Sequence, residues 1–116
     1  AELRYWLLAK QAKEQCGFDV VSVLYFYKVD EECESCSTQG YVLTYLKDKF
    51  KDKLLVFSID MDVDEPMIAI LKNVYNITDA PTLLVDEEKM DRLQEVETLS
   101  KKLCEEYVNK ELCNEL

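Results

Sequence analysis

Two short apolar segments, Val20–Tyr27 and Leu54–Ile59, constrain the fold of this chain more than any other feature of its sequence. Both are rich in β-branched and aromatic residues with little alternation of polar positions, which is typical of strands covered on both faces. The segment between them, Cys36–Phe50, carries apolar residues at helical spacing. A strand, a helix and a strand in this order require a right-handed crossover and a parallel pair. The sequence therefore predicts an α/β domain.

The remaining elements complete a mixed sheet. Further helices are predicted over Glu2–Cys16, from Pro66 to a left-handed Asn76, and over Thr98–Asn109. Two more strands, Thr82–Val85 and Arg92–Val96, are separated only by the polar turn Asp86–Asp91, and such a short connection requires a hairpin. We therefore expect a four-stranded mixed sheet flanked by helices on both faces, with an N-terminal helix in front.

The apolar residues of two helices predict which of their faces turn inward. In the first helix the stripe is Tyr5, Leu8, Ala9, Ala12 and Cys16, widened by Leu3, Trp6 and Leu7. In the third it is Ile68, Leu71, Val74 and Tyr75. The aromatic start of the first helix is also compatible with an interface to a membrane-proximal segment or another chain, but packing on the sheet is the interpretation we favour.

Length and charge limit the function. The 116 residues, 48% of them hydrophobic, fit one domain: residues 1–17 as the N-terminal helix, 18–109 as the core and 110–116 as a fraying tail. A formal net charge of −10 argues against nucleic acid as a partner. The absence of histidine excludes an imidazole base and a Ser-His-Asp triad, and two glycines are too few for a phosphate-binding loop.

The number of cysteines bears on the compartment. Five cysteines leave at least one thiol without an intramolecular partner, and they are too few for a disulfide-dense scaffold. No apolar run approaches the ~20 residues of a membrane-spanning helix. The chain begins at Ala1 without an initiator methionine, so we expect a processed piece of a longer protein that has lost a tether. We favour an extracytoplasmic setting, with the cytoplasm as the alternative.

The motif with the clearest chemistry is Cys33-Glu34-Ser35-Cys36 at the predicted start of a helix. Two cysteines at this spacing can close and reopen a small disulfide with little backbone movement. The positive end of the helix dipole favours the thiolate form. Cys33 is therefore the candidate nucleophile and Cys36 the resolving thiol. Half a zinc site and a chance pair are the alternatives, although no histidine or second close cysteine pair completes a metal site.

The chain resembles the thioredoxin-like family in several segments. These are the strand YFY, the sequence CESC opening a helix, the strand LLVFSID and the tract YNITDAPTLLV, with LSKKL as a weaker match to the family's final helix. The resemblance implies a thioredoxin-like fold that lacks the family's extra first strand, its place being taken by the N-terminal helix. It also implies exchange of disulfides with protein thiols and disulfides, without a metal or other cofactor.

The resemblance assigns roles to further residues. It implies that Pro81 is cis and lies near Cys33 and Cys36, and that Ala80 offers backbone groups to an extended substrate peptide. Glu34 and Ser35, the dipeptide between the cysteines, complete the candidate substrate-binding residues. Considered without the resemblance, Pro81 is as compatible with a trans proline that opens a strand.

The motif also departs from the thioredoxin pattern. Glu32 replaces the tryptophan before the first cysteine, and no acid occurs near Tyr25–Tyr27, where the family has a buried carboxylate. Four acids lie beside Cys33, and their charge disfavours a thiolate. These acids are Asp30, Glu31, Glu32 and Glu34. Our hypothesis is that Cys33 is less acidic than the motif alone suggests. The acids are compatible with recognition of cationic partners or with a solvated loop.

The other three cysteines give weaker signals. Cys104 belongs to an apolar helical stripe, so buried packing is its simplest interpretation. Cys104 and Cys113 are too far apart to bridge along a straight helix, so a bridge requires the helix to break near Asn109. Cys16 lies on a helix that a thioredoxin-like layout places on the opposite face. We expect at most one bridge among the three.

Two functions follow from these features. The first is a thiol-disulfide oxidoreductase that exchanges disulfides with protein substrates through Cys33 and Cys36. The alternative is a non-catalytic binding or structural module in which the Cys33–Cys36 disulfide is static, and the missing carboxylate and the surrounding acids favour it.

Overall fold

The computed structural model describes residues 2–29 and 33–114. The helices are α1 (Glu2–Cys16), α2 (Glu34–Phe50), α3 (Pro66–Val74), α4 (Val96–Glu106) and α5 (Glu111–Asn114), and a single 3-10 turn, Lys51–Lys53, follows α2. The strands are β1 (Val21–Tyr27), β2 (Leu54–Asp60), β3 (Thr82–Val85) and β4 (Glu88–Asp91). Gly17 ends α1 with a φ of 69°, and Asn76 follows α3 with a φ of 53°, as expected for left-handed residues at helix ends.

The four strands form one mixed sheet in the order β2-β1-β3-β4. β1 is parallel to β2 with Val21 opposite Leu54, and it is antiparallel to β3 with Phe26 opposite Thr82. β4 is antiparallel to β3 and forms an edge. The predicted four-stranded mixed sheet with an N-terminal helix is therefore confirmed.

Each face of the sheet has its own core. On one face, α2 and α4 pack on alternate residues of β1, with Leu43, Leu46, Phe50, Leu99, Leu103, Val21 and Val23 among the buried side chains. On the other face, α1 and α3 pack on the intervening residues, with Leu3, Trp6, Ile68, Leu71, Leu24 and Phe26 buried. Because β1 is covered on both faces, its sequence needs no polar alternation, which explains the continuous apolar run.

The inward face of α1 differs from the predicted one. Leu3 and Trp6 are buried, whereas Tyr5 and Leu8 are 61% and 54% exposed and Cys16 is also exposed. The first turns of α1 carry apolar residues on nearly every side. Their spacing therefore did not determine whether the stripe with Leu3 and Trp6 or the stripe with Tyr5 and Leu8 faces the sheet. In α3, Ile68 and Leu71 are buried as predicted, but Val74 in the last turn is exposed.

The predicted fourth strand, Arg92–Val96, is wrong. The strand is Glu88–Asp91, and the turn before it consists of Asp86 and Glu87, both with positive φ (46° and 76°). Two such residues give a tight hairpin, to which Asp is well suited. The prediction failed because an exposed edge strand can be almost entirely charged, and β4 contains only one apolar residue.

The chain after α4 continues into the short helix α5, and the fraying of the tail stays a prediction. The helix ends at Glu106 and α5 begins at Glu111, so the helix breaks near Asn109, as a bridge between Cys104 and Cys113 requires. Cys104 and Cys113 form a disulfide with Cα atoms 5.9 Å apart, and Cys16 is free. The Asp19 carboxylate accepts hydrogen bonds from the backbone N–H groups of Val108 and Asn109, each at 2.9 Å.

Candidate functional site

The Cys33–Cys36 pair lies where β1 leads into α2. Cys33 is the residue before the first turn of the helix, with φ −116° and ψ 71°, and Cys36 lies inside that turn. The two cysteines form a disulfide with Cα atoms 5.3 Å apart. The backbone N–H of Cys36 donates to the carbonyl oxygen of Cys33 at 3.2 Å. The pair therefore lies at the positive end of the dipole of α2.

The two cysteines differ in their access to solvent. Cys33 is half-buried, whereas Cys36 is only 5% exposed and belongs to the core. The next two residues of the motif, Glu34 and Ser35, are exposed on the first turn of α2. This asymmetry matches the two chemical roles, because a thiol that attacks another protein must be reachable and a resolving thiol needs to reach only its partner.

A proline turn lies at the same end of the sheet. The peptide bond between Ala80 and Pro81 is cis. The antiparallel register places Phe26 opposite Thr82, so Pro81 lies one residue further, at the carboxyl end of β1 from which the chain continues to Cys33. Pro81 is buried and Ala80 is half-buried. The Thr82 hydroxyl donates to the carbonyl of Asp79 at 2.6 Å and closes the turn.

Tyr25 lies on β1, in the segment Tyr25–Tyr27 where the resemblance led us to look for a buried carboxylate and the sequence has no acid. Its ring is buried under α2, and its hydroxyl donates a hydrogen bond to the carbonyl oxygen of Cys36. Burial raises the pKa of Tyr25 above its ordinary value of 10, and the neighbouring Tyr27 adds to the shift. The phenol is therefore neutral at physiological pH and holds the backbone at Cys36 without offering a base.

A second contact near the motif involves Gln39, which is fully buried one turn after Cys36. Its Nε2 donates to the carbonyl oxygen of Gln94 at 3.1 Å, and its Oε1 accepts from the backbone N–H of Gln94 at 2.7 Å. The pair fixes the loop between β4 and α4 against α2. The sequence analysis did not predict these contacts of Tyr25 and Gln39. Gln39 could have been found, because it lies on the apolar face of α2 and a buried amide needs hydrogen-bond partners.

Three of the acids that bear on the chemistry of Cys33, namely Asp30, Glu31 and Glu32, lie outside the described residues. Of the four predicted, only Glu34 is described, and it is exposed. The balance between the helix dipole and the acidic side chains therefore stays a hypothesis.

Within residues 2–29 and 33–114, no group of three or more acidic or cysteine side chains is arranged to hold a metal ion. None of the described helices combines the length and the apolar character needed to cross a membrane.

Comparison with known proteins supports the fold. No protein-family model and no curated protein matches the sequence. A thioredoxin from Thermus thermophilus is 17% identical with a TM-score of 0.64, covering 95% of this chain and 88% of that one. Thioredoxin O2 from Arabidopsis thaliana in the oxidised state is 21% identical with a TM-score of 0.58, covering 90% and 87%. Thioredoxin-2 of a malaria parasite is 19% identical with a TM-score of 0.62, covering 74% and 82%. The chain has the thioredoxin fold, with a Cys-X-X-Cys pair at disulfide distance.

Proposed function

We propose that this protein is a thiol-disulfide oxidoreductase that exchanges disulfides with protein substrates. The observation that carries the proposal is the Cys33–Cys36 disulfide at the start of α2, with Cys33 accessible and Cys36 buried. The similarity to thioredoxins supports it at the level of the fold. Protein thiols and disulfides are the substrates, and the exchange itself needs no electron carrier besides the sulfur atoms.

The exchange proceeds in two balanced steps. In the reduced protein, the Cys33 thiolate attacks one sulfur of a substrate disulfide, and the other substrate sulfur leaves as a thiolate that takes up a proton. Cys36 then loses its proton and attacks Cys33 in the mixed disulfide, which releases the second substrate thiol and closes the Cys33–Cys36 bond. The substrate gains two electrons and two protons; the protein supplies both electrons and the proton of Cys36, and the second proton comes from the solvent that took up the Cys33 proton when the thiolate formed. The reverse sequence oxidises a substrate dithiol.

The residues around the pair have positioning roles in this proposal. The backbone of Ala80, before the cis Pro81, offers hydrogen bonds to an extended peptide that crosses the site. The exposed Glu34 and Ser35 form the other side of the contact. The Tyr25 hydroxyl fixes the carbonyl of Cys36, so the first turn of α2 keeps its place when the disulfide opens.

Reduction of insulin by dithiothreitol, followed by turbidity, tests the activity. We expect the protein to accelerate the reaction and Cys33→Ser to abolish the acceleration. Cys16→Ser is the matched control, because it removes an exposed thiol far from the motif and should leave the rate unchanged. Acceleration that survives Cys33→Ser contradicts the proposal.

A second candidate is a non-catalytic module with a static Cys33–Cys36 disulfide. The observation that favours it is Tyr25, a neutral phenol in the region where thioredoxins have a carboxylate that can move a proton. This alternative predicts no insulin turnover and a bridge that resists mild reductant. Mass spectrometry after alkylation, at increasing dithiothreitol, distinguishes the two candidates.

A further inference from the structure

The Cys104–Cys113 disulfide lies outside the Cys33–Cys36 motif and lines a groove of about 530 Å³. This volume is within the range of about 300–1,000 Å³ that is typical of pockets for small molecules. Residues of α2 and α4 form the walls of the groove, and Cys113 of α5 adds to them. Both cysteines of the bridge are half-buried. A small molecule that enters the groove therefore reaches a disulfide.

Two lysine side chains make the groove positive. Lys49 of α2 and Lys101 of α4 both line it, and Nζ of Lys49 lies 5.2 Å from the centre of the Tyr45 ring, which is also part of the lining. The ion pairs found among residues 2–29 and 33–114 include neither lysine. Among the described residues of the lining, Glu97 is the only acid. In a protein with a formal net charge of −10, this groove attracts anions that the rest of the surface repels.

The two sulfur atoms of the bridge have different surroundings. Cys104 packs against the core between the sheet and helices α2 and α4, whereas Cys113 lies on the four-residue helix α5. Nζ of Lys110 donates a hydrogen bond to the carbonyl oxygen of Cys104, so a positive charge lies beside this residue. A neighbouring positive charge favours the thiolate form of a departing cysteine. Attack on Sγ of Cys113, with Cys104 as the leaving thiolate, is therefore the favoured direction.

We propose that the Cys104–Cys113 disulfide is a second thiol-exchange site, and that the thiol it takes is a small molecule with an acidic group. The apolar part of the lining packs on the hydrocarbon of this thiol, and Lys49 and Lys101 pair with its acidic group. The proposal does not depend on the redox function of the Cys-X-X-Cys motif, because none of the motif's residues lines the groove.

The exchange proceeds in two balanced steps. The thiolate of one small thiol attacks Sγ of Cys113, the bond between the two cysteines breaks, and Cys104 leaves as a thiolate that takes a proton from solvent. The thiolate of a second small thiol then attacks the small-molecule sulfur of the mixed disulfide, which frees Cys113 to take up a proton as well. Two small thiols thus become one disulfide and lose two electrons, which the bridge gains. The two protons that the small thiols release to solvent equal the two that the cysteines take up.

The rates at which three small thiols open the bridge test the proposal. 3-Mercaptopropionate is the acidic probe, 2-mercaptoethanol the neutral probe and cysteamine the cationic probe. Each reacts with the oxidised protein, the reaction is stopped by alkylation, and peptide mapping by mass spectrometry follows Cys104 and Cys113 separately from the other cysteines. Rate constants are expressed per thiolate, and each variant is compared with wild type for the same probe, so the intrinsic reactivity of the probe cancels.

Lys49→Gln combined with Lys101→Gln removes both positive charges of the lining. The rate constant with 3-mercaptopropionate should fall at least about threefold, the size expected of solvent-exposed ion pairs. The rate constant with 2-mercaptoethanol should stay the same, and that with cysteamine should rise. Arg4→Gln combined with Lys72→Gln is the matched control, because it changes the net charge equally on α1 and α3, across the sheet from the groove. It should leave all three rate constants unchanged, and circular dichroism checks that both variants fold.

A second measurement locates the first attack. After brief exposure of the wild-type protein to 3-mercaptopropionate and rapid alkylation, the probe should be found on Cys113 and the alkyl group on Cys104. Trypsin cleaves after Lys110, so the two cysteines lie on separate peptides.

Four outcomes overturn the proposal. A bridge that none of the probes opens in the folded protein is a structural cross-link only. An unchanged rate with 3-mercaptopropionate in the lysine variant shows that the groove does not recruit an acidic thiol. An equal change for all three probes shows that the lysines act on the structure and not through charge. A probe bound to Cys104 in place of Cys113 contradicts the direction of attack.

Discussion

Tyr25 shows how one side chain connects the sheet to the reactive turn. It projects from the central strand and ends in a hydrogen bond to the carbonyl of Cys36. Because burial raises the pKa of Tyr25, the hydroxyl keeps its proton throughout the physiological range. The Cys33–Cys36 pair is thus held by a neutral donor, and Tyr25 itself offers no base for a proton of Cys36.

Tyr25→Phe should lower the free energy of unfolding of the oxidised protein by about 1 kcal/mol, the usual net contribution of one hydrogen bond. Urea unfolding measures the change. Tyr41→Phe removes a hydroxyl from an exposed ring on α2 and serves as the control. Equal stabilities of the two variants would show that the Tyr25 bond contributes nothing.

Glu34→Gln tests the influence of negative charge on Cys33. Removing a carboxylate next to the thiol should lower the pKa of Cys33, so we expect its alkylation rate at neutral pH to rise about twofold, a small effect because Glu34 is exposed to solvent. Iodoacetamide modification of the reduced protein across pH gives the titration. Glu111→Gln, an exposed acid distant in sequence, is the control. A rate unaffected by Glu34→Gln would contradict our hypothesis on the acidity of Cys33.

At the end of α4, a disulfide attaches the short helix α5 to the rest of the domain. α5 has four residues, too few to be stable alone. It is connected to α4 by Cys104–Cys113, and Tyr107 in between donates from its hydroxyl to the carbonyl of Lys53 at 2.6 Å. A second disulfide outside the redox motif is also what we expect of a protein in an oxidising compartment, so the extracytoplasmic setting stays a prediction.

Replacing both Cys104 and Cys113 with serine should lower the free energy of unfolding by up to about 2.5 kcal/mol, the loop-entropy value for a cross-link of this span. Urea unfolding under non-reducing conditions measures it. The insulin assay should be unaffected, because the motif cysteines remain. A loss of insulin reduction in this variant would mean that the second bridge takes part in the exchange.

The bounds of an element could be predicted from the sequence when its residues are buried and therefore apolar. β1, β2 and the start of α2 were predicted to within two residues because their apolar runs and the CxxC spacing admit few alternatives. β4 was missed because its exposed, charged residues carry no pattern. The contacts of Gln39 and Tyr25 could not be derived, since each joins residues distant in sequence and depends on the packing of α2 on the sheet.

At the scale of the whole molecule, a polar contact joins two distant parts of the chain beside the apolar cores. Asp19, in the link between α1 and β1, accepts the two backbone N–H groups that follow α4. Burial by itself raises the pKa of Asp19, but these two donors, together with the charges of Lys53 and Lys13, bring the pKa below its ordinary value of 3.8. A carboxylate with a lowered pKa stabilises the folded state above its unfolded pKa and ceases to do so as the pH falls through its folded pKa.

Asp19→Asn should therefore destabilise the protein by about 1 kcal/mol at neutral pH, a value reduced for the partial exposure of the group. The difference from wild type should stay constant above about pH 5 and shrink as the carboxylate is protonated at lower pH. Thermal unfolding across pH, with the exposed Asp48→Asn as control, measures it. A difference independent of pH would assign the effect to packing rather than to charge.

Covalent trapping of a substrate tests the central claim most directly. In Cys36→Ser the resolving thiol is absent, so attack by Cys33 on a disulfide-bonded protein should stop at the mixed disulfide. Peptide mapping by mass spectrometry should then find the substrate cysteine joined to Cys33. An absence of adduct with reduced, folded protein, or an adduct on Cys16 alone, would contradict the account.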